Sequence, residues 1–255
     1  MNRREFGSGL GAIVIGHLLP GVPVGSVDER IPMAGVKKGA APGDQLPAEV
    51  AGVRLVDSDL AKKATALARE VSPAYLFNHC MRTYLFGTLV GRSEARRCDE
   101  ELLFLACTLH DLGLTERFMG PMPFEIQGAE AAARFLKEQG LSSQKVAVVW
   151  DGIAMHPLPI ADHKQPEIAL VAAGAGADVL GPDPSQITAA VKNQIVQAFP
   201  RLGFKKAFVD SCSDVVRRYP RGAGRTFMRD IGERHVPGFQ PPNICDAIER
   251  APFTE

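Results

Sequence analysis

The sequence is poor in the features that mark several large classes of protein. Aromatic residues make up only 7%, and 29 Lys and Arg are balanced by 29 Asp and Glu, so no overall field recruits nucleic acid or an anionic membrane. The five cysteines, Cys80, Cys98, Cys107, Cys212 and Cys245, show no C-x-x-C spacing. That excludes a disulfide framework and a zinc-finger pattern, and leaves most of them to act as small buried hydrophobes. No apolar run reaches the roughly 20 residues of a membrane-spanning helix. There is no internal repeat, no apolar–polar alternation sustained enough for a sheet, no phosphate-cradling Gly-rich loop and no G-x-S-x-G elbow. What remains is an Ala/Leu/Val-rich chain of 255 residues, 45% hydrophobic, long enough for one large domain. The expected fold class is all-α.

Residues 1–25 read as a targeting segment. Arg3-Arg4 precede Phe6 and a short Gly-rich apolar stretch, Leu10 to Gly16, which resembles a twin-arginine export signal. His17 and Pro20 break the run before it could span a bilayer, and no clear Ala-x-Ala site follows. Export is the expectation, a cytoplasmic chain the alternative. Residues 26–50, rich in Gly, Pro, Lys and Asp, are expected to be a linker, and 51–255 the domain.

Within the domain, the 3.6-residue period marks a succession of helices. The first starts near Asp57-Ser58-Asp59 with Leu60, Ala64, Leu67 and Val71 on one stripe; Ser72-Pro73 opens the second, whose stripe is Tyr75, His79, Arg82, Phe86 and Leu89. His79 therefore faces inward, and Arg82, one turn on, is placed to orient a carboxylate or bind a substrate. The third helix is central: Asp99 caps an apolar run that ends in His110-Asp111, with Gly113 expected to close it in a left-handed conformation. Further helices are expected from Phe124 to Gln139, ended by Gly140; from Ser142-Ser143 to His156, stopped by Pro157; and from Pro166 to Asp178. In the last of these, Ala172 to Ala177 is so poor in bulk that another helix can approach closely. Two more helices, Pro184 to Phe199 and Phe204 to Tyr219, look structural, and an irregular tail from Pro220 carries one short helix at Asn243 to Arg250.

His79, His110, Asp111 and Asp178 come from three of these helices, each on or at the end of an inward stripe. Two imidazoles and two carboxylates suit one divalent ion, Zn or Fe with Mn as a third option, and leave positions open for water or substrate. His156 is the one further inward histidine between Asp111 and Asp178, which argues for a single metal.

The order His … His-Asp … Asp resembles the HD-domain metalloprotein superfamily, an all-helical fold in which those four residues hold the ion. The phrases Tyr84-Leu85-Phe86-Gly87, Leu109-His110-Asp111-Leu112-Gly113-Leu114, Phe124-Glu125-Ile126, Glu167-Ile168-Ala169-Leu170, Ala177-Asp178-Val179-Leu180-Gly181 and the closing Ala251-Pro252-Phe253 are similar to its cyanamide hydratase-like branch. The resemblance spans roughly Asp57 to Glu255 and implies a single helical HD-domain bundle. It also implies a metal-activated water that attacks a small neutral substrate at a nitrile carbon, giving urea from cyanamide. His156 is then the candidate for proton transfer beside Asp111, with Arg82 and Lys164 as candidate substrate contacts; for Lys164 a solvated loop is the alternative. Gln127 stands where branch members often carry Asp, and Pro157 where they carry Thr; both departures bear on the substrate more than on the metal. Two other functions stay open: a metal-dependent phosphohydrolase acting on nucleotides or phosphate monoesters, and a helical scaffold that keeps its metal for stability. The expected partner is a small-molecule substrate, with no nucleic acid and no stable membrane association, and the oligomeric state is left open.

Overall fold

A two-residue hairpin leads into the helices. β1 (Glu49–Val50) pairs antiparallel with β2 (Val53–Arg54) around Ala51 and Gly52, both at positive φ (51° and 76°), the conformation a tight hairpin turn demands. Val50 and Val53 are buried. The linker expected over 26–50 therefore stops short of these residues, which already belong to the core. The computed structural model describes residues 46–253, so the expected signal segment and residues 26–45 lie outside the described residues.

α1 (Asp59–Val71) begins where the hydroxyl of Ser58 accepts the backbone N–H of Ala61 at 3.1 Å and donates to Glu101. Its buried face is Ala61, Ala64, Leu67 and Ala68, with Leu60 and Val71 at the margin. α2 (Ala74–Ser93) starts without the cap expected from Ser72: that residue closes α1 through its N–H on the carbonyl of Ala68, and Pro73 stands at the N-cap without a side-chain bond. α2 is buried over most of its circumference from Leu76 to Gly91, as is α3 (Glu100–Leu109) from Leu102 onward. Helices apolar all round belong at the centre of a bundle. Asp99 caps α3 as expected, accepting from the N–H groups of Glu101 and Leu102 at 3.1 and 3.2 Å.

α6 (Pro166–Leu180) crosses both α2 and α3; α5 (Ser143–Met155) joins α3 and α6, and α4 (Phe124–Glu138) packs on α5. The thin wall of α6 does what its sequence suggests. A Cβ on Gly174 would stand 2.1 Å from the carbonyl oxygen of Thr83, and one on Gly87 would stand 2.5 Å from that of Leu170, so α2 and α6 touch backbone to backbone.

α7 (Ala189–Ala198) starts later than expected, because Asp183 folds residues 183–187 into a turn and Thr188 supplies the cap. α8 (Phe204–Arg218) follows. The tail holds more structure than the sequence suggests: beyond a 3-10 turn (Gly222–Arg225) lies α9 (Met228–His235), then α10 (Ile244–Glu249). α9 reads as polar, but Met228 and Gly232 are buried, and the ring of Phe239 closes so tightly on Gly232 that a Cβ there would be 2.4 Å away. With α8 it forms a second apolar cluster that meets Leu76, Leu114 and Phe124. Among the described residues no helix is long and apolar enough to cross a membrane.

Candidate metal centre

The site is built at the end of α3. His110 keeps helical backbone angles (φ −64°, ψ −31°), and at Asp111 (φ −100°, ψ 15°) the chain passes into the 3-10 turn Leu112–Leu114. Gly113 is not left-handed, contrary to expectation; it lies within the 3-10 turn at negative φ. Glycine is needed there because a Cβ would lie 1.9 Å from the carbonyl oxygen of Phe124. Similarly, a Cβ on Gly128 would meet the carbonyl of His110 at 3.0 Å. The first turns of α4 are thus pressed against the turn that carries the histidine and the acid.

His79 reaches this turn from α2. Its Nε2 lies 3.2 Å from Nε2 of His110; Oδ2 of Asp111 is 3.3 Å from the His110 nitrogen and 3.5 Å from that of His79. All three residues are buried. Their outer bonds settle the tautomers. Nδ1 of His110 donates to the carbonyl of Cys107 (2.8 Å), and Nδ1 of His79 faces the Asp178 carboxylate (2.7 Å); neither oxygen has a proton to offer. In the neutral rings each Nε2 therefore points an unprotonated lone pair at the other, with a carboxylate oxygen alongside. Both oxygens of Asp111 are buried without a hydrogen-bond partner. Three converging electron-pair donors with no proton between them fit a divalent cation, and the N, N, O set suits Zn, Fe or Mn. Without one, burial and then His79 push the His110 imidazole down to about 3, while burial pushes the Asp111 carboxyl up.

Asp178 stands on the far side of His79. Arg82 grips it with two bonds of 2.7 Å, Nε to Oδ1 and Nη2 to Oδ2, and Arg201 adds a third of 2.8 Å to Oδ1. Burial raises the pKa of the carboxyl, but the bonds from His79 and Arg82 outweigh it and hold the group below the usual carboxylate range. The three donors close on one another are thus His79, His110 and Asp111; Asp178 fixes the ring of His79 from behind, an arrangement common around metal-bound imidazoles. Of the two roles open to Arg82, the structure shows carboxylate orientation. Each of its nitrogens is engaged, Nη1 by the carbonyls of Phe199 and Pro200, and the side chain is fully buried.

His156, at the end of α5, lies with its ring 4.9 Å from that of His110, edge to face. Its Nδ1 donates to the carbonyl of Ile153 at 2.7 Å, which leaves Nε2 bare in the neutral ring. Burial and then His110 lower its pKa, to about 4. Part of the residue remains accessible, so desolvation is bounded by solvent; the ring is neutral near pH 7. Lys164 sits exposed after the 3-10 turn Pro159–His163, with no bond to the cluster.

Sequence reasoning missed Phe204 and Phe208, which read as core because they recur at helical spacing. Their rings lie 4.9 and 5.9 Å from that of His79 and cover it. It missed Arg201, for which no local signal exists, and it gives Glu125 no role, although Phe124-Glu125-Ile126 is among the phrases that carry the resemblance.

No curated protein matches the chain. The family model described as HD domain matches residues 76–179, a span that opens three residues before His79 and closes one residue after Asp178. Helix order, the His110-Asp111 pair at the end of a buried helix and that match agree: the described chain is an all-α bundle, similar to HD domains over residues 76–179.

Proposed function

We propose that the protein is a metal-dependent hydratase or hydrolase that adds water to a small neutral substrate of cyanamide or nitrile type. The observation that carries this reading is Asp111, a buried carboxyl with both oxygens unpartnered, facing two bare imidazole nitrogens. Leaving such a group unpaired costs on the order of 1–3 kcal/mol or more. When bound, a divalent ion acidifies water and polarises the substrate at this point. His79, His110 and Asp111 would hold it, with Asp178 keeping the His79 tautomer fixed. Nε2 of His156 would take the proton from the attacking water and return it to the substrate nitrogen. For cyanamide the sum is H2N–CN + H2O → (H2N)2CO, a hydration in which no group leaves.

The charges around the site favour a neutral substrate over a phosphate ester. Arg82 and Arg201 are engaged with Asp178, Arg117 pairs with Glu70, Arg218 pairs with Glu116, and Lys164 is exposed. The acids Asp111 and Glu125 lie buried instead. The test is turnover by metal-loaded protein of cyanamide, small nitriles, nucleotides and phosphate monoesters. Urea or amide release supports the reading, phosphate release replaces it with a phosphohydrolase, and no turnover by fully metallated protein leaves a scaffold.

A further inference from the structure

A second carboxyl group is stranded beside the first. Glu125 is 2% exposed, and neither of its side-chain oxygens makes a hydrogen bond of full geometry, although its own backbone N–H and Thr226 favour its charged form. It is not one of the three converging donors. It nevertheless belongs to the same interior. It stands in the first turn of α4, where Gly113 meets the carbonyl of its neighbour Phe124, and Gly128, three residues on, meets the carbonyl of His110. The Phe124 ring lies 5.8 Å from that of His156. Cys212, on α8, has its thiol pushed up by burial and then by the charges of Asp111 and Glu125.

A buried polar group without partners needs an explanation, and a metal supplies it for Asp111 alone. Burial pushes the carboxyl of Glu125 up to about 7; hydrogen bonding from its own backbone N–H and from Thr226 opposes the rise, and the charge of Asp111 adds a little to it. Such a group gains most from neutral or cationic N–H donors, which form charge-assisted bonds as it ionises. A phosphate would meet it with like charge.

We propose that Glu125 is a substrate-binding residue whose two carboxyl oxygens receive N–H donors from a small substrate bearing an amino or amidino group, held beside His79, His110 and Asp111. The assignment rests on the functional reading above and narrows it. A nitrile with no N–H is a poorer substrate than one that carries an amino group.

Binding to the zinc-loaded full chain tests this without turnover. Formamidinium, with N–H donors on two nitrogens, is compared with tetramethylammonium, which has the charge and no N–H, by titration calorimetry of wild type, Glu125→Ala and Glu125→Gln. Wild type should prefer formamidinium by about 10- to 100-fold, the range for a hydrogen bond to a charged group. The preference should vanish in Glu125→Ala and be partly kept in Glu125→Gln, which retains an acceptor. If Glu125→Ala fails to fold, Glu125→Gln decides, by a reduced preference. No preference in wild type, or one unchanged in the variants, overturns the proposal. Failure to hydrate cyanamide, with Glu125-dependent binding of formamidinium, would sink only the functional reading; cyanamide turnover with KM unchanged in both variants would sink only the role of Glu125.

Discussion

Replacing Arg82 with Met separates a structural role from a substrate contact. The guanidinium is fully buried and makes two 2.7 Å bonds to Asp178, plus bonds of 3.0 and 3.3 Å to the carbonyls of Phe199 and Pro200. Removal leaves the Asp178 carboxylate in place with only His79 and the part-exposed Arg201 as partners. Breaking one side of a buried pair costs about 3–5 kcal/mol, because the surviving charge is no longer compensated. In a domain of this size each kcal/mol lowers Tm by about 2–4 °C, so the melting point should fall by roughly 6–20 °C. The damage should reach the metal centre too, since Asp178 is what fixes the His79 ring; loss of such a supporting bond weakens metal affinity by about 10- to 100-fold. Arg82→Lys should recover only part of either loss, because an ammonium cannot reproduce the two-point grip. Urea denaturation of metal-free protein and competitive zinc titration measure the two effects. A stability change below about 1 kcal/mol, accompanied by a raised KM, would refute the reasoning and return Arg82 to the substrate.

Asp111→Asn and His110→Ala should each abolish stoichiometric metal measured by elemental analysis. Saturating zinc at about 100 Kd should raise wild-type stability by about 2.7 kcal/mol and leave both variants unmoved. Gly113→Ala should destabilise by about 3 kcal/mol through overpacking against Phe124, whereas Gly140→Ala, at φ +85° in open space, should cost about 1 kcal/mol in thermal or urea melts. Glu125, raised from 4.5 to about 7, contributes stability that is full below pH 4.5 and is lost as pH rises through 7; His110, lowered from 6.5 to about 3, contributes stability that is full above pH 6.5 and is lost as pH falls toward 3. The two oppose each other between pH 4.5 and 6.5 in the metal-free protein. Denaturation against pH should therefore show Glu125→Gln gaining about 3 kcal/mol on wild type between pH 4.5 and 8, and losing stability more steeply on the acid side.

The helices were legible because their apolar stripes are long and their ends carry recognisable residues: Asp99 caps as read, Ser58 and Ser142 cap where helix starts are expected, and Gly140 closes α4 at positive φ. α9 was not, since most of its residues are polar and it is fixed by packing with Phe239 rather than by its own period. Gly113 was assigned the right residue preference for the wrong reason, because conformational freedom and close approach leave the same letter in a sequence. Inward stripes lead to four expected ligands; His79, His110 and Asp111 converge, whereas Asp178, expected as the fourth, bonds Nδ1 of His79 instead. The pairing of Arg82 with Asp178 could not be separated from a substrate role, for spacing gives a residue's face but not its partner. Glu125 shows the same limit: desolvation arises from elements distant in the chain, and nothing in Phe124-Glu125-Ile126 signals it.

The contact of Gly87 and Gly174 with the opposite backbones has a consequence for how this centre can vary. His79 precedes Gly87 by about two helical turns and Asp178 follows Gly174 by about one, so the seam acts as a calliper set close to the histidine–carboxylate cluster. A single methyl group there would open its jaws and stretch the 2.7 Å link between the acid and the imidazole. The reach of His79 and Asp178 toward each other is thus gauged by two residues that have no side chain.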